Sequence, residues 1–487
     1  MSPALLLLLL LLGWAPLPLA SNRPQPLLVL VLGATLLFVL TAWECRTRCD
    51  GAWHRLARAG GPLSLLTAYV ALIHVQLVPL PLTLVKLVSP ERAAVHLDAA
   101  RGLDQAPAAW LTLTVSAADT WVAAQRALVY LLVFACIIVL VRTRRSARLL
   151  GGALVISGCV QALLGVALLK SGFTLRLFDF VYHFNNVQGS FANRNHLAAY
   201  LVMCLAVGIG LMLSRFEETG GMAVRSWRTR LSVILQFLLG AGMRLRLLLI
   251  LLVVALVLTR SRMGNASFLI ALIVTGLLAL WAWKSMAPVT LALIASLLVI
   301  DVVLIGHWVG LDRVVKRMEQ TALLKDDRRS EETLEERQIA SALGLQTVRD
   351  YPWVGSGARS FEAVFPRYRE PGIQGRYQHA HNDYLEIASD TGVIGLILLA
   401  GSVLACAARA LRVLCTHGSR LARGLAFSSL MSIIAMAVHS SVEFNLQIPA
   451  VALTFCVMLA LAWVADGLPS RASRAVNDRI NEWSPHT

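Results

Sequence analysis

"HAHNDYLEIASDTGVIGLILLA", residues 379–400, changes character half-way along. Its first half carries histidines, an asparagine and acids. From Val393 onward it is apolar. A polar stretch that runs into an apolar one without a linker reads as the mouth of a membrane span. The composition agrees. The chain has 487 residues, of which 57% are hydrophobic and only 15% charged, and its mean hydropathy is +0.68. Soluble domains carry roughly 25% charged residues, so an all-α polytopic membrane protein is the expected class.

Working outward from that mouth, the apolar runs predict about twelve transmembrane helices of roughly 17 to 23 residues. They fall near 3–20, 26–42, 63–83, 121–141, 149–169, 196–213, 245–259, 266–283, 288–309, 391–411, 424–441 and 447–465. The opening "MSPALLLLLLLLGWAPLPLA" ends in small residues like a signal peptide but lacks the positive segment one needs, and is read as a retained first span. "LSVILQFLLGAGM", residues 231–243, is too short to span and is expected to be interfacial or re-entrant. The chain therefore divides into helices 1–9 over 1–309, a large outer loop over 310–390, helices 10–12 over 391–466, and a polar tail over 467–487.

Charge sets the orientation. Lys and Arg total 44 against 28 acids, and most of the excess is Arg in short clusters between apolar runs. With the amino terminus inside, the densest clusters, at 43–62, 142–148, 214–230, 284–287 and 412–423, all fall on the cytoplasmic side. That is the positive-inside pattern, and it explains the basic balance better than nucleic-acid binding does. The segments 84–120, 170–195, 260–265, 310–390 and 442–446 then face outward. Within the large loop, "SEETLEERQIASALGLQTVRD" (330–350) predicts a helix with Ser330 and Thr333 as capping residues. "DYPWVGSGARS" (350–360) breaks it, and its Gly-x-Gly reads as a turn rather than a phosphate loop. The cysteines show no metal-ligand spacing and sit mostly in apolar runs, as buried small hydrophobes do.

The outward face collects the candidate chemistry. Arg194 lies in "GSFANRNHLAAY", and Arg260 and Arg262 lie in "LTRSRMGN". A lone Arg near a bilayer surface snorkels to headgroups, and Arg260 is equally well read that way. Arg194 and Arg262 have small polar neighbours, Asn193 and Asn195 for one, Ser261 and Asn265 for the other. On the side where the positive-inside rule gives no credit, they point to an anion site. The guanidinium fork donates parallel hydrogen bonds and keeps its charge, so a pyrophosphate at membrane level is the fitting anion. His381, beside Asn382 and Asp383, can take a proton near neutral pH. His379 shares a face with it only if the run is extended. A His-x-His pair can bind metal, but no further ligand cluster is evident, and His379 is read as structural support. Glu443, in "HSSVEFNLQIPA", can orient Arg or His.

These motifs resemble, in order, those of the O-antigen ligase and polymerase family of bacterial envelope enzymes: "GSFANRNHLAAYL" at 189–201, "TRSRMG" at 259–264, "YPWVGSGARSFEAVFPRY" and "HAHNDYLEIASDTGVIGLI" within 351–397, and "HSSVEFNLQIPA" at 439–450. The resemblance spans about 190 to 460, and the first 120 residues add only hydropathy. It implies a GT-C-like polytopic fold with a large periplasmic loop and an enzyme of the bacterial inner membrane with a periplasmic active site, and the alternation of spans puts both termini in the cytoplasm. It implies transfer of a glycan from undecaprenyl pyrophosphate to a sugar hydroxyl, on lipid A-core for a ligase, without metal or cofactor and with inversion. By matching motif, His381 is the general base, and Arg194 and Arg262 hold the pyrophosphate. Asn195, His196, Arg260, Arg376, His379, Asn382, Asp383, Tyr384 and Glu443 support them. His379, two residues before the motif histidine, leaves a second candidate base. A polymerase, a protein-glycosylating transferase and a non-enzymatic transporter are the rival readings. The acceptor, the glycan and the oligomeric state have no legible signature.

Overall fold

The computed structural model describes residues 1–48, 51–171, 175–177, 180–182, 186–215, 243–283, 296, 334–369 and 377–469. Eleven long apolar helices organise it. They are α1 Pro3–Trp14, α2 Pro24–Arg48, α3 Gly60–Leu77, α4 Ala117–Leu140, α5 Arg144–Ser171, α6 Arg194–Arg215, α7 Met243–Leu258, α8 Arg262–Ala282, α9 Asp383–Thr416, α10 Arg420–His439 and α11 Pro449–Gly467. Among the described residues nine of these, all but α1 and α7, are long and apolar enough to cross a membrane. The protein is an all-α polytopic membrane protein. Among the described residues, sheet is confined to two-stranded pairings, Leu80–Pro81 with Trp110–Leu111 and Leu175–Leu177 with Phe180–Tyr182.

Two expectations about spans shift. The first span, expected over 3–20, is a helix of only 12 residues. Pro16 and Pro18 follow it, and a proline ring removes a donor and clashes with the preceding turn. The chain then turns through Leu19–Ser21 with left-handed backbone. The tenth span was expected from 391, but α9 begins at Asp383. Asn382 caps it by accepting from the Tyr384 and Leu385 amides, so polar residues occupy the first two turns of the helix. The expected span at 288–309, residue 296 excepted, the segment at 231–242, the capping residues Ser330 and Thr333, and Arg376 lie outside the described residues.

α6 is the central pillar. Every residue from His196 to Ser214 is buried, as befits a helix that is apolar all round. Its tightest neighbour is α10, and the reason is glycine. A Cβ on Gly210 would collide with the Gly424 carbonyl, and one on Gly424 with the Gly210 carbonyl. Such close backbone approach is how helices pack where water no longer drives them together. α6 and α8 also meet closely, at Ala198 and Gly264.

Polar contacts separate the two ends of the bundle. At one end Arg58 and Arg409 pair with Asp466, and Trp283 Nε1 donates to the Leu414 carbonyl at 2.9 Å. At the other end lie the starts of α6, α8, α9 and α11, the end of α10, and a cap of shorter segments. The cap includes helices Leu82–Val88, Pro90–Gly102, Leu334–Asp350 and Phe361–Val364. It is tied by an Arg367–Glu91 ion pair, by Arg92 Nε donating to the Thr114 carbonyl at 3.1 Å, and by Tyr368 Oη donating to Asp350 at 2.6 Å. Burial, then the neighbouring Asp350, pushes the Tyr368 phenol well up, which keeps it a donor.

The cap is also joined to α9 through main chain. Gly392 breaks the helix at φ 68 and ψ −177. The amides of Val393 and Ile394 donate to the carbonyls of Pro352 and Trp353 at 2.8 and 3.3 Å, and those of Ser356 and Gly357 donate to Ser389 and Asp390 at 2.9 and 3.0 Å. The expected glycine turn of 355–357 is therefore a splice into a broken helix. Groups orphaned by the break find partners in it, as buried backbone must.

Candidate active site

The site is built where α6, α9 and the α10–α11 turn meet. Asp383, fully buried at the first turn of α9, sets that turn. Its carboxylate accepts from Ser440 Oγ at 2.7 Å and from the Leu446 amide at 3.0 Å, and its own amide donates to the Ser440 carbonyl at 2.9 Å. These bonds fasten residues 440–446 to the mouth of α9 and so place Glu443 and Phe444 beside the histidines.

His381 is 6% exposed and Glu443 1% exposed. Nδ1 of His381 faces the Glu443 carboxylate at 3.7 Å. That is beyond hydrogen-bond range but close enough for the carboxylate to stabilise a protonated imidazole. The other Glu443 oxygen accepts from Asn195 Nδ2 at 2.6 Å. The carboxylate thus bridges α6 and the mouth of α9. The backbone of His381 is left-handed, at φ 52. Its neighbours hold it there. Ala380 donates its amide to Glu386 at 3.0 Å, and Asn382 caps α9 while its Nδ2 donates to the Ser441 carbonyl at 3.0 Å.

His379 turns to a different carboxylate, with Nδ1 at 2.7 Å from the buried Glu386. Each imidazole therefore has its own acid, and the pair does not converge on a common point. Phe444 lies between them. His379 stacks on its face with centroids 4.0 Å apart, while His381 and His196 meet it edge-on at 5.0 and 4.7 Å. Phe444 was not singled out in the sequence, and neither was His439, buried four residues before Glu443 at the end of α10. Histidine beside acid in "HSSVEFN" is a readable signal. Phe444 has none, because its partners come from separate segments.

The arginines fall on the same end of the bundle. Arg194 and Arg262 are the first residues of α6 and α8, half-buried and exposed respectively. These helices cross at Ala198 and Gly264, about one turn inside each start, so their amino-terminal ends lie side by side. Asn193 Oδ1 accepts the Asn195 amide at 2.8 Å and Ser261 Oγ accepts the Gly264 amide at 3.1 Å, capping the two helices. Two helix amino termini, each carrying an Arg, favour an anion by dipole and by charge. Arg260 is exposed at the α7–α8 reversal, with φ 55. Tyr384 is half-exposed, and its hydroxyl donates to the Ala437 carbonyl at 2.8 Å, tying α9 to α10.

The arrangement offers a histidine coupled to a carboxylate, and nearby a cationic corner, at one end of an apolar bundle. Chemically it can take a proton on one side and receive negative charge on another. Residues 247–400 match the family model described as O-antigen ligase. The match includes Arg262 and His381 and stops short of Arg194 and Glu443. A search among curated proteins returns no match.

Proposed function

We propose, from the premise that this polytopic membrane protein carries an O-antigen ligase family domain, that it transfers a glycan from undecaprenyl pyrophosphate to a sugar hydroxyl of lipid A-core at the periplasmic face of the inner membrane. The observation that carries the reading is the buried His381–Glu443 couple at 3.7 Å, set on the same bundle end as the Arg-bearing starts of α6 and α8.

The steps balance without a cofactor. The acceptor hydroxyl gives its proton to His381, through Nε2, since Nδ1 is turned to Glu443. The hydroxyl oxygen bonds to the anomeric carbon as the carbon–oxygen bond to pyrophosphate breaks. Undecaprenyl pyrophosphate leaves with the electron pair. Glu443 stabilises the imidazolium that forms, as a carboxylate does behind a general base. Arg194 and Arg262 receive the charge that develops on pyrophosphate. Base and leaving group on opposite faces of the sugar give inversion. Asn195 and Asp383 hold Glu443 and its turn in place. His379, His196 and Phe444 pack the site, and Arg260 adds positive potential at its rim.

The test is reconstitution of the full chain with an undecaprenyl-pyrophosphate glycan and either lipid A-core or a second lipid-linked glycan. Transfer to core alone is expected. Transfer only between lipid-linked glycans makes the protein a polymerase. Movement of glycan across the bilayer with no covalent transfer to either acceptor overturns the enzyme reading.

A further inference from the structure

One charge inside the bundle has no role in the site above. Arg126 stands in the third turn of α4, in the run "WVAAQRALVYLLVF" (121–134), and is only 8% exposed. Its guanidinium donates to the Gln447 carbonyl and to Asn22 Oδ1, both at 2.9 Å. Both acceptors are neutral. Its Nε has no partner among the described residues. Among the described residues, the groups within electrostatic reach are the Tyr130 phenol and another cation, Arg359.

Arg359 is held in that position from several sides. Its backbone is left-handed at φ 63, and its amide donates to Asp390 at 2.7 Å. The preceding Ala358 is fully engaged. Its amide donates to Gln76 at 2.9 Å, its carbonyl accepts from Thr120 at 2.9 Å, and its methyl packs among Val70, Ile73, Ala124 and Ala127. The splice loop thus enters the bundle between α3 and α4 and presents one arginine to another. Asp390 is a carboxylate within electrostatic reach of Arg359, and one of its oxygens accepts from the Arg359 amide, so among the described residues the two guanidinium groups have one acid between them.

Like charges in a low-dielectric interior repel, and a buried guanidinium with only neutral acceptors has lost water without gaining a counter-ion. An oxyanion between the two would reverse both costs, since each fork can donate to it. We propose that Arg126 and Arg359 form an anion subsite, separate from Arg194 and Arg262, for a phosphate or carboxylate group carried by one of the two substrates. Gln447, the Arg126 acceptor, follows Leu446, whose amide is bound by Asp383 at the site mouth. Asp390 lies two turns along α9 from Asp383, a rise of about 10 Å. The anion would sit at roughly that distance from His381, within the reach of one extended substrate.

The assignment to a substrate rests on the transferase reading, whereas the existence of the subsite does not, and the experiment separates them. Inorganic phosphate is titrated against the purified full chain by thermal unfolding, in the Arg194→Gln/Arg262→Gln background. Saturable stabilisation is expected, weakened at least about tenfold by Arg359→Gln and partly restored by Arg359→Lys, because the fork outperforms a point charge. Arg359 is the position of choice because Arg126 ties three segments together. If phosphate binding is the same with Arg359→Gln, or absent from that background while wild type binds, the subsite does not exist. In transfer assays, a raised KM for the donor or for the acceptor after Arg359→Gln identifies which carries the anion. Unmoved KM values alongside lost phosphate binding overturn the substrate assignment. A wild type with no transferase activity overturns the functional reading and leaves the phosphate titration decisive for the subsite.

Discussion

At the scale of single residues, His381 shows what position and surroundings each contribute. Its left-handed backbone is a conformation that non-glycine residues adopt at a cost, of roughly 1–2 kcal/mol, and the caps on either side hold it there. Asparagine tolerates that conformation best. His381→Asn is therefore expected to leave the melting temperature within a few degrees of wild type while lowering kcat by about 10² to 10⁴, the range general-base removal covers. Glu443→Gln keeps the shape and the Asn195 contact but removes the charge that, in the proposed mechanism, stabilises an imidazolium. A fall in kcat of roughly 10² with little change in donor KM is expected. A raised donor KM with kcat unchanged would instead make Glu443 a binding residue. His381, Glu443, Arg194 and Arg262 were legible as polar residues at span mouths on one side. Their pairing was not. Nothing local to His381 shows that its acid is Glu443 while that of His379 is Glu386, because each choice depends on which turn docks beside it. Arg126 carries a readable signal, a lone charge well inside an apolar run, although nothing local names its partners.

At the scale of elements, helix existence followed directly from apolar runs, and boundaries followed from capping chemistry. Asn382 begins α9 earlier than hydropathy indicates, because the polar first turns are buried against protein rather than lipid. The break at Gly392 was invisible, since a glycine within an apolar span is unremarkable by composition. Its consequence is measurable. A side chain there must adopt φ 68 and would meet the Trp353 carbonyl and the Val354 amide. Gly392→Ala is expected to destabilise the fold by roughly 2–4 kcal/mol, combining backbone strain with overpacking. Thermal unfolding in detergent measures this, with Gly401→Ala as the control, since a Cβ there meets only a Leu65 methyl at 3.2 Å. Equal melting temperatures for the two variants would show that α9 can rebuild the break.

At the scale of the whole molecule, the alternation of basic clusters and the grouping of helix ends describe the same two-ended object. Arg58, Arg409 and Asp466 mark one end and His381, Glu443 and the cap mark the other. Orientation in a cell is directly testable with a membrane-impermeant maleimide, in a background lacking Cys45, Cys49 and Cys415. Val442→Cys, 37% exposed beside Glu443, is expected to label in spheroplasts, and Thr416→Cys at the far end of α9 only after permeabilisation. The reverse pattern would place the site in the cytoplasm and remove the lipid-linked donor from its reach. The splice between 352–357 and the broken helix has a further consequence for how the protein tolerates change. Four of its bonds run from main chain to main chain. The side chains that add to them are few, Ser356 on the Ser389 carbonyl, Asp390 on the Arg359 amide and Gln76 on the Val354 and Asp390 carbonyls, so side chains such as Trp353 carry little of the information that specifies it. A saturation mutagenesis scan of 352–357 and 389–394 should show a landscape that is flat at positions such as Trp353, with deep wells at Gly355, Gly357 and Gly392, whose added Cβ atoms would meet Asp390, Thr114 and Trp353. The coupling of cap to bundle would then be written in where side chains are missing.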